Sequence, residues 1–260
     1  MVVLHVGTHK TGTTSIQKML AGNEDHFASE GLCYPTLTRV GAGHHNLIWE
    51  LLNDERFDPA AGSFADLVTE LSRDQPPRVL LSAEGFEYLY ERPALARSLK
   101  EGLESAGYRV EVVLALREVP SYLESLYYEL TKHGLSVDLD GFVDEAVSRG
   151  SIHLRDMAFC LRYEELTDSF ASVFGAGSLH VLAYGPSIVS SFFARVGALL
   201  DTTLTEISGW DRSNVRPEGT AGNVTGVGPR EATATLSGDQ RERLMRALGD
   251  PIAALAERYS

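Results

Sequence analysis

The sequence has only two cysteines and no long hydrophobic run. Cys33 and Cys160 lie far apart, so they indicate neither a short metal-binding motif nor a disulfide framework, although a single bridge stays open. We expect two partly buried free thiols. No apolar stretch reaches the roughly 20 residues that span a bilayer. The first residues, MVVLHVG, lack the basic start and the length of a signal peptide. These absences predict a cytoplasmic protein without membrane insertion.

Positive charge is also scarce. The chain has 23 Lys and Arg against 36 Asp and Glu, a formal net charge of −13. This balance argues against non-specific binding to nucleic acid or to an anionic membrane. It argues more weakly against a strongly anionic polymeric substrate. Any phosphate site must therefore be a local positive spot on an acidic protein.

Composition predicts one well-cored domain that spans residues 1–260. Apolar residues make up 43% and charged residues 23% of the 260 positions. No repeat or linker divides the chain. Residues 205–235 are rich in Gly, Thr, Asn and Pro, which predicts a long loop, and a last helix fits 237–258. We expect this loop and helix to belong to the same domain. The sequence does not indicate an oligomeric state.

Strands and helices alternate along the chain. Four apolar runs have the character of buried strands, namely 2–7, 78–84, 108–116 and 178–184. Helical patterns fall at 13–20, 44–52, 63–73, 93–106, 120–132, 155–174 and 187–200. This alternation predicts a three-layer α/β fold, with a mainly parallel central sheet flanked by helices. Ligands of such sheets bind beyond the carboxyl ends of the strands.

The segment between the first strand and the first helix has the composition of a phosphate-binding loop. Residues 7–14 read GTHKTGTT. Gly7 and Gly12 allow a tight turn, Lys10 supplies charge, and backbone N–H groups at the start of the helix attract an anion. Further hydroxyl donors are Thr11, Thr13, Thr14 and Ser15. The alternative is an ordinary Gly- and Thr-rich turn that caps a helix.

This loop differs from a Walker A loop. The Walker order is GxxxxGK[ST], whereas here the lysine comes two residues before the second glycine. No predicted strand ends in the aspartate that usually completes a metal–nucleotide site. Both differences count against a kinase that uses Mg-ATP.

The motif HKTGTTS, residues 9–15, resembles the 5′-phosphosulfate loop of sulfotransferases that use 3′-phosphoadenosine-5′-phosphosulfate (PAPS). The resemblance implies a P-loop NTPase-like sulfotransferase fold. It also implies that the 5′-phosphate is held by Lys10, Thr11, Gly12, Thr13 and Thr14. Lys10 would in addition meet the oxygen that bridges to the sulfuryl group. His9 and Ser15 flank these positions, and we expect His9 to shape the loop.

The same family builds a second anion site, for the 3′-phosphate, from an arginine at a strand end and a serine eight residues later. Residues 112–125 read VVLALREVPSYLES, with Arg117 and Ser125 at that spacing. Ser121 could assist. The alternative is that Arg117 pairs with Glu118 or another surface acid and that Ser125 is an exposed helical serine.

Two weaker features concern the rest of the cofactor. Tyr184 ends the strand in LHVLAYGP, where the family places a tyrosine on the adenine side, but Gly185 replaces the acid that often follows. The alternative is a tyrosine used for packing. Arg216, with Asn214, falls where the family often has a mobile segment that closes over the cofactor.

Sulfuryl transfer to a hydroxyl needs a base. Relatives of this kind use a histidine or a glutamate, and Glu84 follows the strand RVLLS here. Partial burial would raise its pKa towards working pH. The alternative, that Glu84 caps the next helix, is compatible with the same role. The rivals are His44 and His45; since neighbouring helical residues point about 100° apart, at most one of them faces the site.

The resemblance therefore implies a PAPS-dependent sulfotransferase that acts on a hydroxyl of a carbohydrate or small-molecule acceptor by in-line displacement. Its product would be adenosine 3′,5′-bisphosphate (PAP), and the scheme requires no metal. We expect the acceptor pocket to be built from 35–62, 85–92, 133–155 and 205–230. Two alternatives stay open: a P-loop kinase that phosphorylates a small molecule with Mg-ATP, and a non-catalytic nucleotide-binding module.

Overall fold

The centre of the fold is a parallel sheet of four strands. The computed structural model describes residues 1–155, 157–204 and 235–260. Six strands occur in these ranges: β1 (Val2–Gly7), β2 (Val79–Ser82), β3 (Val110–Leu116), β4 (Ser151–Leu154), β5 (Met157–Cys160) and β6 (Leu179–Ala183). The central sheet has the order β2, β1, β3, β6, with every pair parallel. Its strands coincide with the four predicted apolar runs.

Helices cover this sheet. In the described part of the chain they are α1 (Thr13–Gly22), α2 (Glu24–Ser29), α3 (His45–Leu51), α4 (Phe64–Asp74), α5 (Pro93–Ser105), α6 (Val119–Lys132), α7 (Leu139–Arg149), α8 (Tyr163–Phe174), α9 (Ile188–Leu199), α10 (Gly238–Leu248) and α11 (Ile252–Arg258). Three 3₁₀ helices occur at Pro59–Ala61, Glu84–Glu91 and Ala176–Ser178. None of the described helices combines the length and the apolar character needed to cross a membrane.

The sheet is buried on both faces. Along β1, Val2, Leu4 and Val6 pack into one apolar core. The intervening Val3 packs into a second core on the opposite face, together with Phe192 of α9. Because successive side chains of a strand point to opposite faces, a strand that is apolar at nearly every position, as β1 is apart from His5, fills both cores. This confirms the predicted α/β fold with a central parallel sheet between helical layers.

Two predicted helices were wrong in part. Residues 155–174 were predicted as one helix, but β4 and β5 form an antiparallel hairpin in which Leu154 pairs with Met157, and only α8 is helical. The predicted helix at 237–258 is two helices, α10 and α11. The break falls at Gly249, which has φ 69°, and at Pro251, which lacks the N–H that a continuous helix would need.

Residues 235–260 pack against the body that contains the sheet. Arg241 of α10 forms an ion pair with Glu124 of α6 at 2.6 Å, and the N–H of Leu236 donates to the same carboxylate. Beside α11, the N–H of Val181 in β6 donates to the carbonyl of Tyr259. Cys33 and Cys160 are both free thiols, as expected.

Candidate active site

The loop between β1 and α1 turns through two left-handed residues. Lys10 has φ 67° and Gly12 has φ 84°. The Thr8 hydroxyl donates to the carbonyl of Ala115 in β3, and the Thr11 hydroxyl donates to the carbonyl of Thr8. The Thr11 side chain therefore holds the loop together. The half-buried Gly12 and Thr14 stand at the start of α1, where backbone N–H groups favour an anion.

The remaining hydroxyl positions of the motif are more enclosed. Thr13 and Ser15 are buried in the first turn of α1. Gly7 allows this close packing, because a Cβ at that position would lie 2.5 Å from Cγ2 of Thr13 and 3.0 Å from Oγ1 of Thr11. The loop is thus a tightly packed turn in which His9, Lys10, Gly12 and Thr14 are only half-buried.

Arg117 reaches back from the end of β3 to this loop. Its Nη1 donates to the carbonyl of Lys10 at 3.1 Å, and its Nε donates to Oγ of Ser121 at 3.3 Å. The Arg117 carbonyl accepts a hydrogen bond from the Tyr163 hydroxyl. The two contacts of the guanidinium join the loop to the start of α6. They differ from the alternative, in which Arg117 would pair with Glu118 at the surface.

Tyr184 lies on the other side of Arg117. The guanidinium carbon is 4.9 Å from the centre of the Tyr184 ring, and the N–H of Tyr184 donates to the carbonyl of Leu116. The ring is 39% exposed and lies near Gly12, since a Cβ built there would be 3.8 Å from it. The ends of β1, β3 and β6 thus bring Lys10, Arg117 and Tyr184 together.

Ser125 stands on the same face of α6 as the residues that touch the loop. Ser121, Ser125 and Glu129 follow at intervals of four residues, so they form one stripe along the helix. Ser121 contacts Arg117, and Glu129 contacts Lys10. Ser125 lies between them on this stripe of the helix.

Lys10 is paired with an acid that sequence reasoning missed. Its Nζ lies 3.1 Å from Oε2 of Glu129, which also contacts Nζ of Lys132 at 3.2 Å. Burial would raise the pKa of Glu129, but the two lysines outweigh it and lower that pKa to about 2. The carboxylate thus stays ionised and balances the charge of Lys10.

Glu84 opens the 3₁₀ helix that follows β2. Burial alone would raise its pKa, but His45, His9, its own backbone N–H and the Gln17 amide together outweigh burial, so the pKa is lowered. This differs from the expected upward shift, because the charged form has partners that the sequence does not reveal. Glu84 also stands in the first turn of its helix, where a carboxylate is favoured.

Of the two adjacent histidines, only one faces the cleft. His44 is fully buried; its Nε2 donates to the carbonyl of Pro35, and its Nδ1 accepts from the N–H of Ser82. Burial lowers the pKa of His44 to about 3, so this rival for the base is structural. His45 lines the cleft with Glu84, and its ring stacks beside Trp49.

His9 is fixed by a buried carboxylate, Glu87. The backbone N–H and the Nδ1 of His9 donate to Oε2 of Glu87 at 3.2 and 3.1 Å, while the Tyr88 hydroxyl lies 2.9 Å from Nε2. Glu87 is fully buried and also accepts from the N–H of Cys160. These contacts agree with the expectation that His9 shapes the loop. The sequence offered only a weak signal for Glu87, an acid three residues after Glu84.

A cleft of about 940 Å³ opens beside the loop. Its walls come from α3, the 3₁₀ helix after β2, the end of α6 and the β4–β5 hairpin. The predicted segments 35–62, 85–92 and 133–155 all contribute, whereas the contributions of residues 126–132 in α6 and 157–159 in β5 were not foreseen. Arg216, Asn214 and segment 205–230 lie outside the described residues, so their placement stays a prediction.

Comparison with known proteins identifies the fold. No family model matches the sequence, and no curated protein matches it significantly. The structure is similar to the crystal structure of a sulfotransferase from Alicyclobacillus acidocaldarius, with a TM-score of 0.52 and 14% sequence identity. The match covers 98% of this chain and 93% of that chain. The chain therefore has a sulfotransferase-like fold.

Proposed function

We propose that the protein is a PAPS-dependent sulfotransferase that transfers a sulfuryl group to a hydroxyl of a carbohydrate or another small molecule. The observation that carries this proposal is the contact between Arg117 and the carbonyl of Lys10 at 3.1 Å. Two motifs that lie about a hundred residues apart thereby form one site with two cationic side chains. The sulfotransferase-like fold supports the same function.

The donor half of the site suits a nucleotide with two separated anionic groups. The backbone of Gly12 to Thr14 and the Lys10 ammonium would hold the 5′-phosphosulfate. Arg117, with Ser121 and Ser125, would hold the 3′-phosphate, because a guanidinium and nearby hydroxyls donate several hydrogen bonds to one phosphate. Tyr184 offers an exposed ring face to the adenine. PAPS, when bound, supplies the sulfuryl group and a phosphate leaving group.

The acceptor half is the cleft beside the loop. Glu84 and His45 both face it, and either could receive the proton of the acceptor hydroxyl. The lowered pKa of Glu84 keeps that carboxylate ionised at neutral pH, so it can accept a hydrogen bond from the hydroxyl. Lys10, released from Glu129, would stabilise negative charge on the departing phosphate, and one such donor is typically worth about 10²–10³ in rate.

Isothermal titration with PAP tests the donor site directly, with adenosine 5′-monophosphate and Mg-ATP in parallel. We expect micromolar binding of PAP, loss of binding in Lys10→Ala and Arg117→Ala, and weaker binding of the monophosphate. Preferential binding of Mg-ATP, indifferent to Arg117, would overturn the proposal in favour of a small-molecule kinase. PAP binding with no turnover of PAPS across a broad acceptor screen would favour a non-catalytic module.

A further inference from the structure

Gln17 lies inside the protein and reaches the candidate base from the donor side. It belongs to α1, the helix that begins at the phosphate loop, and is only 3% exposed. Its Nε2 lies 3.0 Å from Oε2 of Glu84 and 3.2 Å from Oγ of Ser82. Of the two possible orientations of the amide, only the one with its nitrogen towards Glu84 gives a hydrogen bond, because an ionised carboxylate only accepts hydrogen bonds. The amide nitrogen therefore faces Glu84.

The inner end of this contact is fixed by the central sheet. Oγ of Ser82, the last residue of β2, also lies 2.8 Å from Nδ1 of His5 in β1. The N–H of Ser82 donates to His44, which is itself bonded to Pro35. Every group in this chain of hydrogen bonds except Glu84 is buried. Gln17 is thus held in one orientation by the rigid part of the fold.

We propose that Gln17 is a positioning residue that fixes the Glu84 carboxylate at the wall of the cleft. This inference rests on the proposed function, because it assumes that Glu84 meets the acceptor hydroxyl. Since α1 carries both the donor-loop amides and Gln17, one helix sets the position of the donor and of the candidate base. A hydrogen bond to the charged form of a carboxyl also favours that form, so Gln17 helps to keep Glu84 ionised.

Other ionisable groups also act on the Glu84 carboxylate, and a test must distinguish their effects on its pKa from the effect of Gln17. They come from α3, the phosphate loop, β1, the segment before α3 and the 3₁₀ helix of Glu84 itself: His45, His9, His5, Tyr34 and Tyr88. A substitution at Gln17 that adds no charge leaves these groups in place. Gln17→Met meets this condition, since methionine is unbranched, similar in length and unable to donate.

The test is a pH titration of the Glu84 carboxyl by carbon-13 NMR in the full chain, with Glu84→Gln used to assign the signal. We expect the pKa of Glu84 to be higher in Gln17→Met than in the wild type. It should stay unchanged in Gln75→Met, because the amide of this glutamine at the end of α4 donates, in the described part of the chain, to the backbone carbonyls of Leu71, Ser72 and Ala106. An unchanged pKa in folded Gln17→Met would overturn the inference.

Two further readouts keep the test decisive. In the wild type, the NMR signal of the Gln17 side-chain amide should shift as Glu84 titrates. This measurement does not depend on a variant that folds. An amide signal that does not change as Glu84 titrates would contradict the contact. PAP affinity should agree within about twofold between Gln17→Met and the wild type, because the substitution adds no charge and the amide of Gln17 donates to Ser82 and Glu84. If the wild type fails to bind PAP, the proposed function fails, while the Glu84 titration still decides whether Gln17 holds the carboxylate.

Discussion

The ammonium of Lys10 lies 3.1 Å from the carboxylate of Glu129, so the lysine of the β1–α1 loop already has an anionic partner. Both side chains are about 30% exposed, and Glu129 also contacts Lys132. A bound phosphosulfate would have to replace this carboxylate at Lys10. The free energy of this partly exposed ion pair is therefore lost when a donor binds, and donor binding is weaker by that amount.

Replacing Glu129 should strengthen donor binding. Partly exposed ion pairs contribute about 0.2–1 kcal/mol, so Glu129→Gln should bind PAP up to about fivefold more tightly in isothermal titration. The matched control is Glu145→Gln on α7, a glutamate of similar exposure that pairs only with Arg149 among the described ion pairs. Weaker PAP binding in Glu129→Gln would contradict the idea that Glu129 competes with the ligand for Lys10. It would show instead that the carboxylate orients Lys10 for the ligand.

The same pair should leave a signature in acid. The pKa of Glu129 is lowered from 4.5 to about 2, against the effect of burial, by hydrogen bonds and charge from Lys10 and Lys132. A depressed carboxyl pKa stabilises the folded state above the ordinary pKa, and this contribution is lost as pH falls from about 4.5 towards 2. Urea unfolding across that window should show a smaller loss for Glu129→Gln than for the wild type. Equal losses would show that the pair does not contribute to folding.

Arg117→Lys should separate the two anionic groups of the donor. The guanidinium bonds the Lys10 carbonyl and Ser121 and lies over the Tyr184 ring, and an ammonium cannot make all three contacts. Loss of one charged hydrogen-bonding group predicts a drop in PAP affinity of about ten- to a hundredfold. Adenosine 5′-monophosphate should lose less, because it lacks the 3′-phosphate. Arg109→Lys, at the opposite end of β3, is the control. Equal losses of affinity for PAP and for adenosine 5′-monophosphate in Arg117→Lys would show that Arg117 does not contact the 3′-phosphate.

Gly7→Ala should disturb the loop without altering any charge. The new Cβ would lie 2.5 Å from a carbon of Thr13, and overpacking of this kind costs about 1–3 kcal/mol. We expect a lower midpoint of thermal unfolding together with weaker PAP binding. Gly177→Ala, where a Cβ would meet no atom within 4 Å, should change neither. A Gly7→Ala protein with normal stability and binding would show that the loop tolerates the shift.

Local patterns were sufficient to predict the strands of the central sheet and the meeting of the β1–α1 loop with Arg117, while anion binding by these segments stays a prediction. The strands β1 and β3 are apolar except for His5 and Glu111, and the loop and Arg117 follow them directly. The carboxyl ends of neighbouring parallel strands lie at one edge of the sheet, so the order of these segments in the sequence predicts that they meet. The β4–β5 hairpin was missed because each strand has only four residues, and the segment was joined to the helical pattern of α8. Strands this short carry too little periodicity to be separated from a neighbouring helix.

The contacts that define the candidate site in detail depend on tertiary packing. Glu129 stands more than a hundred residues after Lys10, and Gln17 meets Glu84 across two elements. No spacing in the sequence marks either pair. For the same reason, the pKa of Glu84 could not be foreseen: burial was expected, whereas the groups that favour its ionised form include the charges of His45 in α3 and His9 in the loop and the amide of Gln17 in α1.

At Lys10, the proposed function and the stability of the fold have opposing requirements, because the residue has a left-handed backbone. An L-residue with a side chain in this conformation loses about 1–2 kcal/mol relative to right-handed backbone, and glycine does not pay that penalty. Lys10→Gly should therefore be more stable to unfolding than Lys10→Ala, because both variants lose the ion pair with Glu129 and only alanine keeps the left-handed penalty. A directed-evolution library screened only for heat tolerance places no selection on the proposed donor contact of Lys10, so such a screen needs a ligand-binding step at every round.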